Sequence, residues 1–185
     1  MANQTQIQRE QIFVVKTNKN VFEALDALNA ENEKFNKIQL NLVDYAKTPS
    51  VFVSHSINPD VLKVLATDIL QGTFTDYAEY KGSAQSKRPD GKPEARVLKI
   101  MKRSGKPGEK INYPFAITIS VGEGQVIRQG AVKMVKQEQS VNMLLSEMDM
   151  KRFAITALDY IRNFEAYHQF QKIREKGAKA GQKGA

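Results

Sequence analysis

The sequence predicts an α+β fold in which twisted antiparallel β-sheet carries one long C-terminal amphipathic helix and two shorter helices. Three observations carry that expectation. Tyr113, Phe115, Ile117, Ile119 and Val121 alternate with small or polar residues, which is the period of a half-buried strand. Met150, Phe153, Ala157, Ile161 and Phe164 recur at helical spacing and mark one apolar face. Clusters rich in Gly and Pro at 82–93, 104–108 and 122–124 cut the second half into hairpin-length pieces. A length of 185 residues suffices for one sizeable core. The expected organisation is a single globular domain over 1–176 followed by a flexible basic tail over 177–185.

In chain order, residues 10–16 form an apolar run that reads as a strand. Asn20, with Glu23 three residues on, has the spacing of a capping box and predicts a short helix over 21–29. Residues 37–45 alternate Ile38, Leu40 and Leu42 with polar residues and predict a strand; Ser50–Ser54 predicts the next. Asn58-Pro59-Asp60 offers a cap, a proline at the first helical position and a first-turn acid, so 60–70 reads as a helix ended by Gly72. Residues 74–81 and 94–103 are strand-like and flank a polar connection, Gly82–Pro93, with a Pro-Asp-Gly turn. The alternating strand over 113–121 is expected to turn at Gly122-Glu-Gly124 into strands over 126–136 and 140–145. Ser146 and Asp149 then give a capping-box variant that opens the long helix, and Gly177 suits its end. Residues 50–70 and 140–161 share the order Ser-Val strand, serine, capped helix. That order suggests an internal sheet–helix duplication over 37–72 and 94–165.

Composition excludes much. The absence of cysteine removes disulfide frameworks, zinc ribbons, iron–sulfur sites and thiol catalysis. No apolar run reaches the roughly 18 residues that a membrane span needs. The polar N-terminal stretch has no signal-peptide core, so a cytoplasmic protein is expected. The net charge of +8 is unevenly spread. Residues 1–80 carry 7 basic and 10 acidic side chains, residues 81–110 carry 10 and 3, and residues 111–185 carry 11 and 7. A cationic cluster of that density is the electrostatic footprint of a polyanion partner, whose binding releases counterions.

Candidates for chemistry are thin. No phosphate-cradling Gly-x-x-x-x-Gly-Lys-Ser/Thr motif occurs, and Ser104-Gly-Lys-Pro-Gly108 lacks its spacing. Asp90, Glu94 and Arg96 only faintly follow the acid–acid–base order of a small nuclease. His55 has no second ligand near it in sequence, and His168 shares a helix face with Ile161 and Phe164. No metal site, cofactor or enzymatic activity is expected. Aromatic residues do border the basic stretch. Single strands are bound by cationic grooves with rings on which bases stack. Phe115 and Tyr113 read as core, whereas Tyr77 and Tyr80 read as stacking platforms.

Over residues 94–164 the order of elements resembles the single-stranded-DNA-binding superfamily of the transcriptional coactivator positive cofactor four and the plant Whirly proteins. The likeness lies in the run Ala131–Lys136, the strand Val141–Leu145 and the helix from Glu147. The resemblance implies a four-stranded sheet plus helix that pairs with a second such unit, and binding of ssDNA by sheet surfaces and edges.

The expected function is therefore non-enzymatic binding of single-stranded nucleic acid, DNA ahead of RNA, with little sequence preference. The expected contacts are Tyr77, Tyr80, Lys81, Lys87, Arg88, Lys92, Arg96, Lys99, Lys102 and Arg103. A helix surface wider than one stripe also predicts a homo-oligomer, with Phe153, Ile161, Phe164, Tyr167 and Phe170 at the interface. The alternative is a phage or mobile-element assembly module that acts through this helix.

Overall fold

The computed structural model describes residues 9–28, 36–88, 90–105, 111–127 and 130–182. It is an α+β structure of two four-stranded antiparallel sheets and two helices. Sheet 1 contains β1 (Gln11–Lys16), β2 (Asn20–Ala27), β3 (Lys37–Asp44) and β4 (Val51–Ile57), and α1 (Pro59–Gln71) follows it. Sheet 2 contains β5 (Asp76–Lys87), β6 (Pro93–Lys102), β7 (Phe115–Val126) and β8 (Val132–Leu145), followed by α2 (Glu147–Gln182). Each sheet pairs its strands in sequence order, so the order of four strands and a helix occurs twice.

The local signals explain several boundaries. Pro59 opens α1, and Gly72 ends it in the left-handed region at φ 79°, its N–H reaching the carbonyls of Asp68 and Ile69. Ser146 caps α2: its Oγ accepts the Asp149 N–H at 3.0 Å and donates to Asp149 Oδ2 at 2.6 Å.

Other expectations need correction. Residues 20–27 form the strand β2 instead of a helix. Thr17 Oγ1 accepts the N–H groups of Lys19 and Asn20, which makes a tight turn at the position read as a helix cap. β2 then pairs on both sides, with β1 and β3, and buries Phe22 and Ala24 on its inner face. Two helices result where three were expected. Gly122 and Gly124 do not turn the chain; β7 runs through them with shifts in register. Close approach explains these glycines, since a Cβ at Gly122 would strike the Lys136 carbonyl and one at Gly124 would strike Val132 Cγ1. β8 is one strand where two were expected, and α2 continues past Gly177.

One core joins the two halves. Phe153 of α2, the helix that follows sheet 2, sits on sheet 1, with ring centroids 5.1 Å from Phe22 and 5.5 Å from Phe13. Farther along α2, the Tyr160 hydroxyl meets Asp26 of β2 at 2.8 Å and Glu10, just ahead of β1, at 3.1 Å. Lys63 of α1 pairs with Glu165 of α2 at 2.8 Å. Leu98, Ile100, Phe115, Ile117 and Ile119 of sheet 2 belong to the same buried cluster as Leu40, Leu42 and Ile57 of sheet 1.

Phe153 and Ile161 are thus 0% and 1% exposed within their own chain, which removes both from the expected oligomer interface. Phe153→Ala should lower folding stability by about 3–5 kcal/mol, the usual cost of emptying a buried phenylalanine site. Urea denaturation followed by circular dichroism measures it; a loss below 1 kcal/mol would contradict the packing described.

Candidate nucleic-acid interface

The two faces of sheet 2 have different chemistry because side chains alternate along each strand. On the inner face, Tyr77, Ile100, Ile117 and Met143 lie opposite one another across β5–β8, and the next rung holds Glu79, Leu98, Ile119 and Val141. On the outer face one rung is Tyr80, Val97, Ser120 and Ser140, and the next is Ala78, Lys99, Thr118 and Asn142. Tyr80 is 64% exposed, and Lys99, Met101, Asn142 and Leu144 are exposed beside it. Val97 and Ser120 of the Tyr80 rung are buried, whereas Ala78, Lys99 and Asn142 of the next rung are exposed. The floor of this face is made of small residues, held by hydrogen bonds of 2.9 Å between the Ser120 and Ser140 hydroxyls and 2.7 Å from Asn142 Nδ2 to Thr118 Oγ1.

At one end of the sheet a groove of about 650 Å³ is lined by residues of both faces of β5 and by residues of β6. Val132 of β8 reaches across to Gly82 of β5, where an added Cβ would lie 2.6 Å from the Val132 Cβ. Tyr80, Lys81, Arg96, Lys133 and Ile127 line the groove, with Glu94 as its one carboxylate.

The expected binding residues separate into three sets. Tyr77, Lys81 and Arg96 face inward. Tyr77 packs against the core, and burial, with the Glu79 carboxylate nearby, pushes its hydroxyl up from 10.0 to about 12. Lys81 donates to the Ser56 carbonyl, and Arg96 Nη1 donates to the Ser54 carbonyl at 2.8 Å and to its Oγ at 2.7 Å. β4 is the edge strand of sheet 1, so these cations satisfy its unpaired carbonyls. Between them lies Glu79, 2.9 Å from His55 Nε2 and 3.2 Å from Lys81. Burial pushes Glu79 up, but the hydrogen bond from His55 and the Lys81 ammonium outweigh it and hold the carboxyl below its ordinary range. His55 is 1% exposed, and its Nδ1 has no hydrogen-bond partner among the described residues.

The second set is paired at the β5–β6 turn. Arg88 grips Glu138 through two bonds of 2.6 and 2.8 Å and also meets Asp90, while Lys92 meets Glu123 at 2.8 Å. The hydrogen bond from Arg88 holds the Glu138 carboxyl below its ordinary range. Lys87 ends β5, and its side chain falls outside the described residues.

The third set differs: Tyr80 and Lys99 share the outer face and Arg103 is exposed just beyond β6, whereas Lys102 has the inner-face parity and lies 5.6 Å from the ring centre of the buried Phe115. Lys99 and Arg103 form no ion pair among the described residues, nor do Lys133 and Lys136 of β8. Lys133, Lys136 and Ile127 were not singled out by sequence reasoning; the strand 131–136, with lysines three apart, was their only signal. Tyr113, expected in the core, is 55% exposed.

On α2, Phe164 is half-buried and lies 4.3 Å from the His168 ring, whereas Tyr167 and Phe170 are 60% and 63% exposed. Among the described residues there is no cluster of three potential metal ligands, and no helix is long and apolar enough to cross a membrane. No family model, curated protein or solved structure matches the chain.

The raised Tyr77 hydroxyl predicts an alkaline loss of stability. Its folded-state value lies above the unfolded one, so the unfolded chain gives up its proton first, and stability falls as pH rises from 10.0 toward about 12. Tyr77→Phe should make that decline shallower than in the wild type in urea titrations between pH 9 and pH 12. An unchanged decline would rule out this cause.

Proposed function

We propose that the protein binds single-stranded nucleic acid, DNA in preference to RNA, without catalysis and with little sequence preference, on the outer face of sheet 2. The observation that carries this reading is the pairing of an exposed ring, Tyr80, with Lys99, a cation that forms no ion pair among the described residues, on one face beside the small exposed Ala78. Bases stack on the ring whatever their identity, and phosphates meet Lys99, with Lys133 and Arg103 at the margins. Small floor residues let bases approach the sheet, and the groove at the Tyr80 end extends the surface. The doubled order of four strands and a helix also supports the reading, because it matches the pairing of sheet–helix units that the superfamily resemblance implies.

A second reading concerns assembly, and three exposed apolar side chains favour it. Tyr167, Phe170 and Ile173 of α2 are 60%, 63% and 69% exposed, and all lie beyond Ile161, its last buried residue among those described. We propose that this distal part of α2, with Phe164, joins copies of the chain, in place of the surface that included Phe153 and Ile161. Light scattering at micromolar concentration should find an oligomer that Tyr167→Asp with Phe170→Asp converts to a monomer. A monomeric wild type would end this reading.

Anisotropy titrations with labelled oligothymidylate at several salt concentrations test the first reading. Tyr80→Ala should weaken binding by roughly 1–3 kcal/mol and keep the salt slope, because stacking releases no counterions. Lys99→Glu should weaken binding and flatten the slope of log affinity against log salt by about 0.7. Arg88→Ala should change affinity by less than about twofold, since Glu138 and Asp90 already hold that charge. Wild-type affinity in both the Tyr80 and Lys99 variants would refute the site.

A further inference from the structure

The outer face of sheet 2 does not end at β8. Asn142, which closes the Lys99 rung, also lines a second cleft of about 560 Å³ between this sheet and the β1–β2 turn. Thr17, Asn18 and Lys19 form one wall, and Tyr113 and Leu144 form the other with Asn142. Tyr113 is 55% and Leu144 41% exposed. The turn is held in shape from within, because Thr17 Oγ1 accepts from Asn20 N at 2.9 Å and the Thr17 N–H donates to the Asn20 carbonyl at 2.8 Å. The residues lining the cleft include no carboxylate.

The cleft offers the groups that one nucleotide uses. Lys19 can meet a phosphate, the Tyr113 ring can stack a base, and the amides of Asn18 and Asn142 can donate to and accept from base edges or sugar. It is joined to the Tyr80 end by a continuous surface. Tyr80 stands two residues from Ala78 on the same face, Ala78 is opposite Lys99, Lys99 is opposite Thr118, and Thr118 is bonded to Asn142. Four strands leave three gaps of about 4.8 Å, so the path from β5 to β8 spans about 14 Å. That is about four stacked nucleotides at 3.4 Å each.

We infer that the Thr17–Lys19/Tyr113 cleft is a second nucleotide-binding site, and that a bound single strand crosses sheet 2 from the Tyr80 groove to this cleft. The inference rests on the proposed ssDNA binding at the Tyr80–Lys99 face. A strand long enough to reach both sites gains affinity through the second contact, whereas a short one does not.

Labelled dT2, shorter than the path, and dT12 separate the two contacts. Lys19→Glu combined with Tyr113→Ala should cost dT12 about tenfold in affinity and dT2 less than twofold. Tyr80→Ala should weaken both lengths. Lys19 and Tyr113 are exposed, and an unchanged thermal transition by circular dichroism will show that the double variant folds; should it not fold, bromouracil at successive positions of dT12 provides the second test, with photo-crosslinking to Tyr113 expected only near one end. Equal losses for dT2 and dT12, no loss for either, or crosslinks spread evenly along the oligonucleotide would overturn the second site. Failure of the wild-type protein to bind either oligonucleotide would instead overturn the ssDNA reading on which it rests.

Discussion

The packing of Phe153 between Phe13 and Phe22 constrains the rest of the molecule. α2 follows sheet 2 in the chain, yet its buried face is used on sheet 1. The inner faces of both sheets, α1 and α2 therefore close a single core, and neither helix remains to cover an outer face. An exposed sheet face must then tolerate water through its own composition. The two outer faces do so differently. On sheet 1 the central rung holds Glu23, whose carboxylate accepts from Gln11 and from the buried Asn41. On sheet 2 the corresponding position in the middle of the face is Lys99 among Ala78, Thr118 and Ser120. A carboxylate stands at the centre of one face and a lysine at the centre of the other, so the two faces differ in charge although the two halves share one order of elements.

Much of the positive charge in residues 81–110 serves the fold. β4 ends sheet 1 with carbonyls that have no strand to accept from, in a partly buried position beside sheet 2. Lys81 and Arg96 fill that need at Ser56 and Ser54. An unpaired buried carbonyl costs about 1–3 kcal/mol, more than an exposed phosphate-binding lysine contributes to folding. These two side chains reach the edge of the groove with their charges already directed at the partner sheet.

Regular patterns were legible in the sequence wherever the local signal and the tertiary demand agree. The alternation from Phe115 to Val121, the proline start of α1, the Ser146 cap of α2 and the Gly72 stop all recur in the structure because neighbouring residues alone determine them, whereas Asn58, read as a cap, makes no side-chain cap and accepts from Lys37 instead. Asn20–Glu23 shows the limit: its capping-box spacing is real, but pairing with β1 and β3 and burial of Phe22 outweigh a short helix, which is marginal in isolation. Gly122 and Gly124 look like a turn, and only the nearness of Lys136 and Val132 explains them. Tyr77 and Tyr80 are three apart in one strand and must face opposite ways, so parity alone separates the core tyrosine from the exposed one. Tyr113 and Lys133 carried no such local clue, since the cleft and the groove they line are made by segments far apart in the chain.

Charge counted along the chain is a poor guide within an antiparallel sheet for the same reason. Arg88 and Lys92 lie in the most basic stretch, yet their carboxylates come from β8 and β7, at Glu138 and Glu123. Exposed pairs of this kind add little to stability individually, but a two-bond guanidinium–carboxylate contact fixes direction. Here they tie the β5–β6 turn to the two strands that curl over it, at the end where Val132 rests on Gly82. The groove beside Tyr80 is consequently braced by ion pairs within the sheet itself. The cations that look most like phosphate ligands in the sequence thus act within the fold, whereas Lys99, Lys133 and Arg103 form no ion pair among the described residues and would supply the phosphate contacts of the proposed binding.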